Sequence, residues 1–455
     1  MEGLEVTEKF ASDVFGAKRF DAEYFRPQFE ALVSRIRRQP DVVTLGDILA
    51  YCERGSQPDY ADEGLPVINS KHVRMGKVLL GEDNRLARIE SGNPVIKSGD
   101  ILINGTGVGT IGRVSFYSAT QDALPDNHVT ILRIKPGAKL DPRFVAIQLT
   151  GSVGQLQAEQ HTRGSSGQVE LYPDDIRKFL IFRGSSGFQE RFLNACQNAE
   201  RLSAVAAAQL AGAEQTMLHA LGLDNWRPPD PLTYMRRASE VAGGPRFDAE
   251  FHAPRYAALE HELEARFPLK QLGSLGEVLK GDTVPYAEDG TVPIIRSGDL
   301  RDIDDDDRFL RAASGADIFE LQRGDILISS IGFGSIGKVQ VFDKPGRYGT
   351  VSEVTVVRQN ELNPYYVAAY LRSRFGQMLI ERYITGATGQ LHLYAKDVAR
   401  IFVPVLPPEK QAVFERQAKA ALAAKLEAQA LLALAQRAVE VAIEQGEPAA
   451  MKLLE

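Results

Sequence analysis

The residues of this chain that could do chemistry lie in a few short runs. Gly107-Val108-Gly109-Thr110-Ile111-Gly112 has the GxGxxG spacing of a dinucleotide site and follows an apolar strand, as such a site requires. The residues after it, Arg113-Val114-Ser115-Phe116-Tyr117, alternate like a strand and do not open a helix, so no helix N-terminus is offered to a pyrophosphate. Gly332-Phe333-Gly334-Ser335-Ile336-Gly337 is followed in the same way by Lys338-Val339-Gln340-Val341-Phe342. Both runs read as tight loops between strands whose backbone closely approaches something else.

Catalysis finds no foothold. The seven histidines form no HExxH, and no serine or cysteine stands in a nucleophile-elbow context. Cys52 and Cys196 are the only cysteines, too few and too far apart for a zinc site or a disulfide framework. Asp302 and Asp304 through Asp307 could ligate calcium, but the run lacks the glycine and distal glutamate of a calcium loop and reads as a solvated, DNA-repelling turn. Asn363-Pro364-Tyr365-Tyr366 lacks the second proline of the motif that holds a flipped adenine. Asp141-Pro142-Arg143-Phe144 stands at the matching place, and helix capping accounts for both. No catalytic residue and no metal site is expected.

Basic and amide-bearing loops point elsewhere. Asn69-Ser70-Lys71-His72-Val73-Arg74-Met75-Gly76-Lys77 gathers Lys71, His72, Arg74 and Lys77, suited to phosphates and base edges. Arg296-Ser297-Gly298-Asp299-Leu300-Arg301 is a weaker counterpart, offering Arg296 and Arg301. A second loop offers Arg163, Ser165, Ser166 and Gln168, and its counterpart Thr385, Thr388, Gln390 and His392. Arginine reads guanine and glutamine reads adenine through paired hydrogen bonds. Arg113 and Lys338, directly after the glycine loops, complete the set of candidate DNA contacts. Each loop taken alone reads more readily as an ordinary solvated loop; their recurrence at matching positions brings the functional reading level with that one.

That recurrence organises the chain. Arg19-Phe20-Asp21-Ala22-Glu23-Tyr24 returns as Arg246-Phe247-Asp248-Ala249-Glu250-Phe251, and Leu45-Gly46-Asp47-Ile48-Leu49 as Leu275-Gly276-Glu277-Val278-Leu279. Gly99-Asp100-Ile101-Leu102-Ile103 returns as Gly324-Asp325-Ile326-Leu327-Ile328, and Leu171-Tyr172 as Leu393-Tyr394. A period this long is a duplication of a whole unit and not a solenoid repeat. Each unit reads as short strands, such as 99–103, 111–117 and 129–135, with helices starting near Pro142 and Pro364 behind Asp141 and Asn363 as caps.

Each unit then ends in one long helix. From Phe188 the residues Phe192, Ala195, Ala199, Leu202, Ala206, Leu210, Ala213, Met217 and Ala220 form an apolar stripe. From Phe414 the residues Ala418, Ala421, Ala428, Leu432, Ala435, Val439 and Ala442 do the same, with Lys425 the one polar interruption. Seams of this spacing rich in alanine predict a mutual antiparallel coiled coil, the other reading being that each helix packs on its own globular part. Phe192, Ala199, Leu202, Leu210, Met217, Phe414, Ala421, Leu432 and Val439 are its expected contacts. The fold class is α/β with mixed sheets. Expected boundaries are 1–183, a long helix at 184–222, a proline- and glycine-rich linker at 223–245, a second domain at 246–406, a second long helix at 407–446 and a tail at 447–455.

Length and composition set the outer bounds. At 455 residues, with 44% hydrophobic and 25% charged residues, the chain is ordinary for globular domains and argues against disorder. A net charge of -7 advertises no bulk affinity for nucleic acid, so any such contact must be local. The start Met1-Glu2-Gly3-Leu4-Glu5 is not a basic run followed by an apolar one, and no stretch is apolar enough to span a membrane; a cytoplasmic location is expected.

These residues resemble a family, the specificity subunits of type I restriction-modification systems. The likeness lies in the order domain, long helix, domain, long helix. It lies also in the paired Gly-Asp-Ile-Leu-Ile strands with glycine loops, the Gly-x-x-Gly-Gln stretches, and Val403-Pro404-Val405-Leu406-Pro407-Pro408-Glu409-Lys410-Gln411 leading into the last helix. In the first unit that run has become Phe182-Arg183-Gly184-Ser185-Ser186-Gly187-Phe188-Gln189. The resemblance implies a non-catalytic DNA reader in phage defence: each target-recognition domain reads one half of an asymmetric, bipartite double-stranded target, and the helices set the spacing. It implies methylase subunits, two of them, that bring S-adenosylmethionine, and restriction motor-nuclease subunits that bring ATP and Mg; no cofactor is expected in this chain. The rival readings are a duplicated protein-interaction scaffold without DNA contact, and the recognition part of another methylation-based defence system.

Overall fold

Alternation along Ile101-Leu102-Ile103 decides the layering. Side chains of a strand point alternately to opposite faces; Ile101 and Ile103 enter one core with Phe144, Val145 and Leu149, while Leu102 enters another with Ile68, Val73 and Tyr117. The sheet is therefore covered on both faces, by helices on one and by a smaller sheet on the other. Ile326 and Ile328 repeat this with Tyr366, Val367 and Leu371, and Leu327 with Ile295, Leu300 and Val356.

A computed structural model describes residues 7–81, 84–89, 92–107, 109–164, 169–243, 245–301, 303–304, 306–332, 334–386 and 391–455. These form two units, Met1–Leu202 with Leu426–Glu455, and Ser203–Lys425. Unit 1 contains β1 (Leu49–Arg54), β2 (Leu65–Ile68), β3 (Ile101–Asn104), β4 (Val114–Phe116), β5 (Val129–Ile134), α1 (Pro142–Thr150), α2 (Ser152–His161) and the first half of α3 (Ser186–Leu221). Its main sheet has the order β1-β5-β3-β4, all antiparallel. Unit 2 contains β6 (Gly276–Lys280), β7 (Val292–Ile295), β8 (Ile326–Ser329), β9 (Val339–Val341), β10 (Val354–Gln359), α4 (Pro364–Arg372), α5 (Arg374–Tyr383) and the first half of α6 (Pro408–Gln445). The order β6-β10-β8-β9 repeats that of unit 1.

The duplicated Gly-Asp pairs explain themselves here. Gly99 and Gly324 adopt φ of 95° and 94°, a left-handed turn that glycine takes without strain. The strand then starts at Ile101 and not, as its apolar run suggests, at Gly99. The buried Asp100 carboxylate accepts two hydrogen bonds from Arg133, both at 2.7 Å, and Asp325 accepts two from Arg358 at 2.9 and 2.8 Å. Each pair ties two neighbouring strands of the main sheet. Asp141 Oδ1 accepts from Arg143 N at 2.8 Å, and Asn363 Oδ1 from Tyr365 N at 3.0 Å, so both expected helix caps are formed ahead of a first-turn proline.

The long helices each contribute to both units. In unit 1, Phe188, Phe192 and Cys196 of α3 share a core with Ala435, Ala438, Val439 and Ala442 of α6. In unit 2, Met217, Leu218 and Leu221 of α3 and Phe414 of α6 enter one core, and Gln417 Nε2 donates to Thr216 Oγ1 at 3.2 Å. The start of α3 and the end of α6 thus share the core of unit 1, and the end of α3 and the start of α6 that of unit 2, so each helix also packs on a globular core. Two expected seam residues fall outside: Leu210 is 54% and Leu432 38% exposed. A straight helix repeats every 3.6 residues and drifts off a 3.5-residue seam, which turns these two leucines outward. The last residues form a short helix, Glu447–Met451, with Ala450 buried in the unit 1 core. Among the described residues no helix is long and apolar enough to cross a membrane.

Candidate nucleic-acid interface

The glycine loops are built alike. Gly107, Gly109 and Gly112 have φ of 99°, 73° and 77°, and Gly332, Gly334 and Gly337 of 110°, 76° and 80°, so the repeated glycines are required by a left-handed backbone. Arg113 Nη2 donates to Gly109 O at 2.8 Å, and Lys338 Nζ to Gly334 O at 2.5 Å. Gln155 Nε2 donates to Gly112 O at 2.9 Å, and Gln377 Nε2 to Gly337 O at 3.0 Å. A strand follows each loop, as the alternation predicts, so no helix dipole serves a phosphate here. Arg113 and Lys338 thus brace their loops with the same groups that were expected to face DNA.

Beside each glycine loop stands a hairpin closed by two backbone hydrogen bonds. Arg163 N donates to Glu170 O at 2.8 Å and Glu170 N to Arg163 O at 2.7 Å; Thr385 and His392 make the same pair at 2.9 and 2.8 Å. Ser165, Ser166 and Gln168, and likewise Thr388 and Gln390, follow Arg163 and Thr385 in sequence and lie outside the described residues. Backbone bonds tie hairpin to loop: Leu171 N donates to Gly105 O at 2.8 Å, and Leu393 N to Ser330 O at 2.9 Å. Gly105 N in turn donates to His128 O, and Ser330 N to Glu353 O, both at 2.8 Å.

The basic segment of unit 1 joins this frame. Val73–Arg74 and Lys77–Val78 form a hairpin turned at Gly76, whose N donates to Val114 O at 2.8 Å. Asn104 Nδ2 holds Ser70 O at 2.9 Å. Lys71, Arg74 and Lys77 are exposed around it. His72 corrects the sequence expectation: it is 5% exposed, and its Nδ1 accepts from Asn69 N at 3.2 Å and lies 3.1 Å from Asn84 Nδ2. It shapes the hairpin from inside. In unit 2, Arg301 Nη2 donates to Gly334 O at 3.1 Å, and Arg296 is held by Asp299 at 3.0 and 3.2 Å.

Electrostatics separate structural cations from exposed ones. Arg163 Nε and Nη2 donate to the buried Asp175 at 2.7 and 2.8 Å, and Lys178 Nζ adds a third bond at 2.8 Å. Burial alone would raise the Asp175 carboxyl, but the bonds from Arg163 and Lys178 outweigh it and hold the group below its ordinary value. Arg163 therefore anchors its hairpin. The aspartate run is likewise engaged: Asp304 binds Lys425 at 2.9 Å, and Asp306 binds Lys344 and Tyr348. No group of three potential metal ligands occurs among the described residues.

The sequence reading passed over several groups on the same frame. Tyr172 and Tyr394 follow the two hairpins at equivalent places, 43% and 50% exposed. Arg54 lies 5.4 Å from the Tyr172 ring and binds Leu171 O at 2.9 Å, while the Tyr394 ring stacks on His392 with centroids 6.0 Å apart. His128 Nδ1 is 2.5 Å from Thr106 Oγ1 on the exposed side of the loop. Only the repeated Leu-Tyr pair gave a signal in sequence. Exposed aromatic rings with cations beside them, next to glycine loops, can stack on bases and neutralise phosphates.

Residues 266–417 match the family described as the type I restriction modification DNA specificity domain. No curated protein sequence matches the chain. Among solved structures, the S subunit of a type I restriction-modification system from M. genitalium is similar at 16% identity over 91% of this chain and 94% of that chain, with a TM-score of 0.37. The HsdS subunit from Thermoanaerobacter tengcongensis is similar at 16% identity over 90% and 98%, with a TM-score of 0.31.

Proposed function

We propose that this protein, whose residues 266–417 match the type I restriction modification DNA specificity domain, is the DNA sequence-recognition subunit of a type I restriction-modification complex reading an asymmetric bipartite target. The observation that carries the reading is one backbone frame used twice with unequal side chains. Loop and hairpin are joined by the same main-chain hydrogen bonds in both units, while Arg163 faces Glu170 in one and Thr385 faces His392 in the other. Equal frames with unequal contacts read unequal half-sites. The role is recognition without chemistry. Two methylase subunits bring S-adenosylmethionine, restriction subunits bring ATP and Mg, and the antiparallel helices set the distance between half-sites. The complex acts in the cytoplasm, and with a net charge of -7 on this chain its partners supply much of the cationic surface.

The deciding experiment is sequencing of methylated adenines in the host with and without this gene. Loss of one split target on deletion supports the reading; an unchanged methylation pattern overturns it. In the assembled complex, Gln168→Ala and Gln390→Ala each relax one half-site only, and a single variant that relaxes both contradicts the assignment of one unit to one half-site.

A further inference from the structure

The frame that the units share carries different functional groups at equivalent positions. Asn69, Ser70, Thr106 and His128 of unit 1 correspond to Arg296, Ser297, Ile331 and Glu353 of unit 2, by their neighbours in sequence and by the main-chain bonds of residues 105 and 330 to His128 O and Glu353 O. The conspicuous change is His128 to Glu353. A carboxylate on a surface that meets DNA is repelled by every phosphate and is tolerated only where it accepts a hydrogen bond from a base. Base-edge donors of the major groove are the amino groups of cytosine and adenine.

Glu353 is held for such a contact. Ser297 Oγ donates to its Oε2 at 3.0 Å, and its backbone O is fixed by Ser330 N at 2.8 Å, while the residue stays exposed. Arg296, next to Ser297, is oriented too: its N, Nε and Nη2 donate to the Asp299 carboxylate at 2.9, 3.0 and 3.2 Å. That leaves hydrogens on Nη1 and Nη2 for a second, two-point acceptor. Ser297, which binds the Glu353 carboxylate, directly follows Arg296 in the chain, which puts the cation and the anion in one neighbourhood. A guanidinium beside a carboxylate is the complement of one base pair: two acceptors on guanine and one amino donor on the opposite cytosine. In unit 1 the same places hold Asn69 and His128, which present no such couple.

We propose that Arg296 and Glu353 together read one G·C pair in the half-site of unit 2, Arg296 taking the guanine and Glu353 the cytosine. This rests on the DNA-reading function above. The test maps methylated targets of the complete complex carrying Glu353→Gln or Arg296→Lys beside the unaltered chain. The unaltered complex gives a split target with a fixed G·C pair in the unit 2 half. Glu353→Gln, nearly the same in shape and still able to accept from Ser297, lowers discrimination at that pair by about tenfold or more, the scale of one paired contact. Arg296→Lys keeps the charge, loses the two-point geometry and relaxes the same position, and the unit 1 half is unaffected by either change. Unchanged preference at every position in the Glu353→Gln complex, or a unit 2 half with no fixed G·C pair, overturns the inference and leaves the DNA reading intact. If the unaltered chain directs no methylation, the DNA reading falls and this inference with it.

Discussion

Lys425 Nζ donates to Asp304 at 2.9 Å, joining the one polar interruption of the α6 stripe to the aspartate run of unit 2. Two anomalies of the sequence thus account for each other: the lysine interrupts an apolar stripe because a partly buried carboxylate needs it. Completing the stripe by Lys425→Leu therefore destabilises the chain by about 1 kcal/mol, because Asp304 loses its partner. Adding Asp304→Asn recovers most of the loss. A double-mutant cycle in urea checks this, and an increase in stability from Lys425→Leu alone would count against the pairing.

His161 gives unit 1 a pH dependence. Its ring lies between Tyr24 and Phe179, each with centroids 5.4 Å away, and burial depresses it to about 4 from 6.5. Below pH 6.5 the unfolded chain takes up a proton that the folded chain refuses, so stability falls as the pH falls from 6.5 towards 4. The loss between pH 7 and 5 is about 2 kcal/mol. His161→Tyr, which installs the residue found at the equivalent place in unit 2, removes this part of the dependence. Urea midpoints at pH 7 and 5 for both chains measure it, and parallel shifts in the two would refute it.

The exposed cations of the Lys71–Lys77 hairpin are proposed DNA contacts, whereas the buried His72 acts on the hairpin. Lys71→Ala, Arg74→Ala and Lys77→Ala each weaken binding of the assembled complex to all sequences alike and reduce the salt slope by about 1 for each phosphate contact removed. His72→Ala instead destabilises unit 1 by about 1 to 3 kcal/mol, since it deprives the buried Asn84 amide and Asn69 N of a partner. Binding titrations over a salt series, with urea unfolding alongside, separate the two classes. A sequence-selective effect of Lys71→Ala would contradict the phosphate assignment.

Much of this frame was legible in the sequence because local rules set it. The caps at Asp141 and Asn363, the strand after each glycine loop and the long stripes all follow from residue type and spacing. What stayed hidden depends on partners distant in the chain. Nothing near Arg163 announces that Asp175 will bind its guanidinium, and Arg133 gives no local sign that it belongs to Asp100. Counting cations therefore missed the structural part of Arg113, Arg163 and Lys338, each of which braces its own loop or hairpin. Tyr172, Tyr394 and Glu353 went unremarked for another reason: the tyrosines served as landmarks of the repeat, and an acid is not sought among candidate DNA contacts.

The alanines of the helix pair are fixed by space and not by chance composition. Ala435, Ala438 and Ala442 of α6 are fully buried in unit 1, in one core with Phe188 and Phe192 of α3. Protein cores leave little room for added methylenes, and overpacking costs about 1 to 3 kcal/mol. Ala438→Leu therefore destabilises the chain by that amount although leucine is a good helix former, while Leu210→Ser, on the exposed side of α3, leaves stability within about 0.5 kcal/mol. Urea unfolding of the two variants decides the matter. A neutral Ala438→Leu would mean that α3 and α6 pack more loosely than their buried alanines require.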